Sequence, residues 1–130
     1  MGQHSQKTKI LIVDDEQIVR EVLMRLFKKN GFLPQVAQDG QEALEKAARE
    51  KPDIIILDLI MPKVDGIQVW SRLRKDNSTR RIPIIFLSAH GKTDEIIQAG
   101  RQGNNIAYIE KPFDAAYLFK QIDKLLTQQH

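Results

Sequence analysis

IIILDLIMP, residues 54–62, runs four apolar residues straight into Asp58 and closes on a Met-Pro pair. The run is short, continuous and rich in β-branched side chains, as expected of a strand covered on both faces. A charged carboxylate is costly to bury without a partner, so Asp58 at the end of such a strand needs a reason other than packing.

Working outward, the same kind of run recurs. Strands are expected at 9–13, 32–36, 53–57, 83–87 and 106–109, with helical spacing near 16–29, 40–50, 65–75, 92–101 and 113–127. In the first helical segment Ile18, Val19, Val22, Leu23, Leu26 and Phe27 recur at helical spacing, while Arg20, Glu21, Arg25 and Lys28 take the other face. Asn30-Gly31 stops it, Asp39-Gly40 opens the second helix, Pro52 closes it, and Asp65-Gly66 opens the third. Strands alternating with helices imply a parallel sheet with right-handed crossovers and helices on both faces. The runs ILIV, IIIL and PIIFL are wholly apolar and belong in the centre. FLPQV is more polar, and Pro34 has no N–H to give a ladder, so this strand belongs at an edge. The expected fold is α/β: a (βα)5 doubly wound, flavodoxin-like sheet in the order 2-1-3-4-5.

At 130 residues the chain is one domain in size. Residues 8–127 are expected to form it, with a flexible tail over 1–7 and a short one over 128–130. The absence of cysteine excludes disulfides, thiolate metal sites and a cysteine nucleophile. No apolar run reaches the ~20 residues of a membrane span, and the polar opening MGQHSQKTK lacks a signal-like apolar stretch. A cytoplasmic protein without membrane contact is expected. The formal charge is +3, but Lys28-Lys29, Arg72, Arg74-Lys75 and Arg80-Arg81 are scattered over helix ends and polar faces. They suit helix dipoles better than a nucleic-acid surface, so no direct nucleic-acid partner is expected.

In an open parallel sheet of this order the site lies at the carboxyl ends of strands one and three. Strand one ends in Asp14-Asp15 and strand three in Asp58, so three carboxylates meet at one rim. Like charges so crowded repel and call for a cation, and magnesium suits oxygen ligands that also face phosphate. The plainer reading of Asp14 and Asp15 is capping of the helix that begins near Glu16. Asp58 has no helix start immediately beside it. Strand four ends in Ser88-Ala89 and strand five is followed by EKPF, with Lys111 before Pro112. A hydroxyl and an ammonium thereby reach the same rim, a constellation suited to a phosphoryl group.

ILIVDDE, PDIIILDLIMPKVDG, PIIFLSA and YIEKPF together resemble the CheY-like receiver domain of bacterial two-component response regulators, over roughly residues 8–127. The resemblance implies that Asp58 accepts a phosphoryl group and that Asp14, Asp15, Asp58 and the backbone carbonyl of Ile60 hold Mg2+. It implies that Ser88 bonds the phosphoryl group, that Lys111 pairs with it, that the Lys111–Pro112 bond is cis, and that Tyr108 is the aromatic switch. The donor would be a sensor histidine kinase or histidine phosphotransfer protein. The readout would be an unidentified downstream protein at the face formed by segment 92–101, strand five and the last helix, including Tyr108 and Tyr117. Such a domain is a phosphoacceptor rather than an enzyme, and acts as a monomer or a phosphorylation-dependent dimer. AGRQGNNIAY departs from the family's shorter turn, and the spacing from Ser88 to Lys111 is about one residue longer than usual, which loosens the reading of 99–107. Ile60 and His90 occupy positions that influence phosphoryl lifetime in the family.

Rival readings fit less well. An aspartyl-phosphate phosphohydrolase would carry a second acid where Ile60 stands, and a flavin module would need a phosphate-cradling loop where the chain has DDEQ. An interaction scaffold that is never phosphorylated would not need the full set of phosphorylation residues.

Overall fold

The computed structural model describes residues 8–59, 61, 66–88, 98 and 105–127. Five strands, β1 (Lys9–Val13), β2 (Leu33–Ala37), β3 (Ile54–Asp58), β4 (Ile84–Ser88) and β5 (Ile106–Glu110), form one sheet in the order β2-β1-β3-β4-β5. Every pairing is parallel. Among the described residues four helices accompany the sheet: α1 (Gln17–Lys29), α2 (Gly40–Glu50), α3 (Gly66–Lys75) and α4 (Ala115–Thr127). The helix expected over 92–101 falls largely outside the described residues.

Every residue of β3 and β4 is buried, which is why both read as unbroken apolar runs. Alternation splits them between two cores. Ile55 and Leu57 pack with Ala43 and Ala47 of α2 and Val69 and Leu73 of α3. Ile54 and Ile56 pack with Leu23 and Phe27 of α1 and Leu118 and Ile122 of α4. Burying one such side chain is worth about 1.5–3 kcal/mol, so the central strands anchor both layers. Phe27 packs edge-on to both Phe32 and Phe119, which are tilted against each other, with centroids 5.4–5.9 Å apart. β2, with Pro34 and a half-exposed pattern, is one edge strand, and β5 is the other.

Local signals act where the sequence suggests. Asp39 caps α2 by accepting the N–H of Glu42 at 2.9 Å, and the Glu42 carboxylate accepts from the Gln38 N–H at 2.9 Å. Asn30 ends α1, and Gly31 follows with φ 86°, a conformation glycine takes without steric cost. Strand ends differ by about one residue from the expected ones, and that shift makes Asp58 and Ser88 themselves the last residues of β3 and β4.

The apolar stripe of α1 departs from expectation. Leu23 and Phe27 are buried, whereas Ile18 is 75% and Val22 57% exposed. The sheet covers only the sector centred on Leu23 and Phe27, so a stripe of continuous helical spacing is wider than the surface that receives it.

Lys51 closes α2 at φ 49°, a left-handed conformation that strains any residue with a Cβ, while its N–H bonds the Ala47 carbonyl at 3.0 Å. Lys51→Gly should therefore raise unfolding stability by about 0.5–1 kcal/mol, read from the urea midpoint at unchanged m-value. A fall in the midpoint would show that glycine's extra unfolded-state freedom outweighs the relieved strain.

Candidate functional site

The site follows from strand order. Val13 pairs with Leu57 across the β1–β3 ladder, so the next residues, Asp14 and Asp58, emerge side by side at the carboxyl rim. Oxygen atoms from Asp14, Asp15 and Asp58 all lie within 4.8 Å of one another. Asp14 is 1% and Asp58 6% exposed, whereas Asp15 lies at the surface.

Such a group cannot be assembled without a counter-charge. Part of it comes from Lys111, whose Nζ lies 3.2 Å from Asp14 Oδ2 and 3.8 Å from Asp58 Oδ2. The backbone carries it there: the Lys111 N–H donates to the Ser88 carbonyl at 2.8 Å, tying the exit of β5 to the end of β4. The Lys111–Pro112 peptide bond is cis. Burial works to lower the Lys111 pKa, but the Asp14 and Asp58 charges and the hydrogen bond to Asp14 outweigh it, so the net shift is upward from 10.5.

Capping accounts for only part of Asp14. Its Oδ1 accepts the Glu16 N–H at 2.9 Å, its carbonyl accepts from Arg20 Nη1 at 2.8 Å, and its N–H donates to the Ala37 carbonyl at 3.2 Å. The other carboxylate oxygen faces Lys111. The N-cap of α1 is Glu16, which makes no side-chain cap bond. Among the described residues three carboxylates share the Lys111 ammonium, with the Arg20 guanidinium on the Asp14 carbonyl, and an all-oxygen donor set of this kind fits a hard divalent cation.

Ser88 is 1% exposed at the end of β4, one step beyond Leu87, the partner of Asp58. Tyr108 pairs with Phe86 in the β4–β5 ladder, is partly buried and packs against the α2–α3 core. The structure thus gathers Asp14, Asp15, Asp58 and Lys111 in close contact and brings Ser88 to the same rim. The Ile60 carbonyl and His90 lie outside the described residues.

Two features were not read from the sequence as part of the site. Gly66, taken only as a helix opener, donates its N–H to the Leu59 carbonyl at 2.8 Å, and a Cβ placed on it would lie 2.5 Å from the Asp58 carbonyl oxygen and 2.8 Å from Leu59 Cα. The Gly66 backbone therefore holds the chain just after the carboxylate. The second is the exposed pair Ile18 and Val22, which starts one turn beyond Asp14-Asp15. Helical spacing alone could not separate it from core.

Gly66→Ala should lower stability by about 2 kcal/mol, because the contact it creates is with backbone that cannot rotate away. Denaturant unfolding reads this directly, and an unchanged midpoint would show the Asp58–Leu59 backbone to be free to shift. Lys111 also predicts a pH dependence. A raised folded-state pKa contributes stability that is complete below the ordinary value of 10.5 and lost as pH rises through the folded value. In metal-free buffer the stability difference between wild type and Lys111→Met should thus be constant up to about pH 10 and shrink above it. A difference that grows there would reverse the sign.

The profile of the response regulator receiver domain matches residues 10–123. The chain is 40% identical over 120 residues to the response regulator MprA of Mycobacterium leprae, covering 92% of this chain and 51% of that protein, so it spans about half the length of such curated relatives. Among solved structures it resembles the receiver domain of the Francisella response regulator 1452, with a TM-score of 0.82 and 32% identity over 95% of this chain and 99% of that one. It also resembles the Vibrio cholerae chemotaxis protein CheY4, with a TM-score of 0.83 and 29% identity over 92% and 99% of the two chains. With this architecture, this rim of carboxylates and these relatives, the chain belongs to the response regulator receiver domain family.

Proposed function

We propose that residues 8–127 act as a phosphorylation-dependent switch in which Asp58 accepts a phosphoryl group from a phosphohistidine on a sensor kinase or histidine phosphotransfer protein. The observation that carries this reading is the packing of Asp58, at the end of a buried strand, against Asp14, Asp15 and Lys111. No packing benefit explains so much like charge at one rim, whereas carboxylates able to hold a divalent cation beside an ammonium put positive charge where a transferring phosphoryl group needs it.

An Asp58 carboxylate oxygen forms the new P–O bond as the P–N bond to the donor imidazole breaks, and the imidazole leaves with the electron pair and is protonated by solvent. Mg2+ bound by Asp14, Asp15, Asp58 and the Ile60 carbonyl would neutralise charge on the incoming group. Lys111, now on Asp14 and near Asp58, has three donors to turn toward the new phosphoryl oxygens, and Ser88 supplies a hydroxyl. Because the Lys111 N–H is bonded to the Ser88 carbonyl, a pull on either group is felt by both strand ends. Tyr108, on β5 three residues before Lys111, is the side chain suited to report that movement to a downstream protein, together with half-exposed Tyr117 on α4. The chain then acts as a phosphoacceptor rather than an enzyme with a separate substrate.

The phosphoryl donor must approach the rim, and Ile18 and Val22 give it an apolar landing surface on α1 beside Asp15. Exposed aliphatic pairs at i and i+4 suit the side of a partner helix.

Incubation with Mg2+ and acetyl phosphate, followed by intact mass measurement, should add one phosphoryl group to wild type and none to Asp58→Asn. Equal labelling of that variant would remove Asp58 from its role. The Ile18→Ser/Val22→Ser variant should accept phosphoryl from acetyl phosphate normally, yet slow about tenfold with a phosphohistidine protein donor. Unchanged transfer from the protein donor would move the docking surface elsewhere.

A further inference from the structure

At the opposite end of the sheet from Asp58, a cavity of about 190 Å³ is lined by Trp70, Arg74, Thr79, Arg80, Arg81 and Asn105, among others. It opens beside the first residues of β4 and β5, Ile84 and Ile106. Four residue steps of strand, about 13 Å, therefore separate it from the rim that carries Ser88. The arginines that look scattered in sequence are gathered here, because the turn over 76–81 folds Arg80 and Arg81 back toward Arg74.

From the structure, we infer that this cavity is a binding site for a phosphoryl-bearing small ligand, independent of the Asp58 rim. The reasons are charge, geometry and size. Among the described residues, no acidic side chain lines the cavity. Residues 72–81 carry Arg72, Arg74, Lys75, Arg80 and Arg81 against the single acid Asp76. That acid is turned to its own loop, where Oδ1 accepts both the N–H and the hydroxyl of Ser78 at 2.9 Å. Arg74 has no carboxylate partner among the described residues, and its guanidinium is held 5.6 Å from the centroid of the Trp70 ring. Trp70 is itself fixed edge-on to the fully buried Phe86, so the stack stands on the core. Arg80 is oriented by one bond from Nη1 to Asn77 Oδ1 at 3.2 Å, which uses a single donor of its fork.

Several guanidinium forks around one cavity suit phosphate better than carboxylate. One fork satisfies both oxygens of a carboxylate, whereas a phosphate monoester offers three terminal oxygens and up to two negative charges to two or more forks. The volume is below the roughly 300 Å³ of pockets that enclose drug-sized molecules, so the ligand is small. The shared chemistry is the phosphoryl dianion, borne either by free phosphate or by a small phosphorylated metabolite.

Trp70 is the only tryptophan, so its indole N–H gives one resolved NMR signal inside the site. The full chain, unphosphorylated and free of Mg2+, is titrated with inorganic phosphate and separately with glycerol 3-phosphate, at low and constant ionic strength set with chloride. A saturable shift of the Trp70 indole and of the Arg80 and Arg81 amides is expected. It should require at least ten times more ligand in Arg74→Gln/Arg80→Gln and be unaltered in Asp58→Asn. Tighter binding of the ester would assign a phosphorylated metabolite, and equal binding would assign the free anion. No saturable shift, a shift retained in the double arginine variant, or one lost in Asp58→Asn would overturn the inference. The double variant should still gain a phosphoryl group from acetyl phosphate, which keeps this result separate from the role of Asp58.

Discussion

The repulsion among Asp14, Asp15 and Asp58 is the constraint on which the rest of the site depends. Folding forces these carboxylates within 4.8 Å of one another, and the nearby ammonium of Lys111 only partly offsets them. The cost is imposed by topology: in a sheet ordered β2-β1-β3-β4-β5, the ends of β1 and β3 are neighbours. Packing on both faces of β3 is what holds the acids there. A native protein keeps such an arrangement where a charged ligand resolves it, and the site is then poised to respond to a change in charge.

Coupling from the rim to the rest of the molecule has a short physical route. Lys111 is bonded through its side chain to Asp14 and through its backbone to the Ser88 carbonyl, so charge added at Asp58 alters the forces on β4 and β5 together. Further along those strands Tyr108 pairs with Phe86, and Phe86 packs on Trp70, which forms a wall of the arginine-lined cavity. The two ends of the sheet are thus linked through the backbones of β4 and β5 and the packing of Phe86 on Trp70.

Much of the fold was legible because the signals were strong and local. Unbroken apolar runs marked β1, β3 and β4, Pro34 marked β2 as an edge strand, and Asp39-Gly40 marked a capped helix. The acidic site was legible because strand order and strand ends together dictate who meets whom. Other features depend on three-dimensional context that periodicity does not carry. Helical spacing grouped Ile18 and Val22 with Leu23 and Phe27, but it could not say how wide a sector of α1 the sheet would cover. Gly66 looked like a helix opener, and only the close approach of the Asp58 backbone reveals why a Cβ is excluded. Arg74, Arg80 and Arg81 looked dispersed until the turn after α3 brought them around one cavity.

The most direct test of the central claim is the effect of Mg2+ on unfolding, measured as the urea midpoint of the unphosphorylated protein with and without millimolar MgCl2 at matched ionic strength. If the carboxylate rim exists to be neutralised by a divalent ion, Mg2+ raises the wild-type midpoint by the linkage of binding to folding, and the rise largely disappears in Asp14→Asn/Asp58→Asn. A midpoint that does not respond to Mg2+, or that rises equally in the variant, would contradict the account.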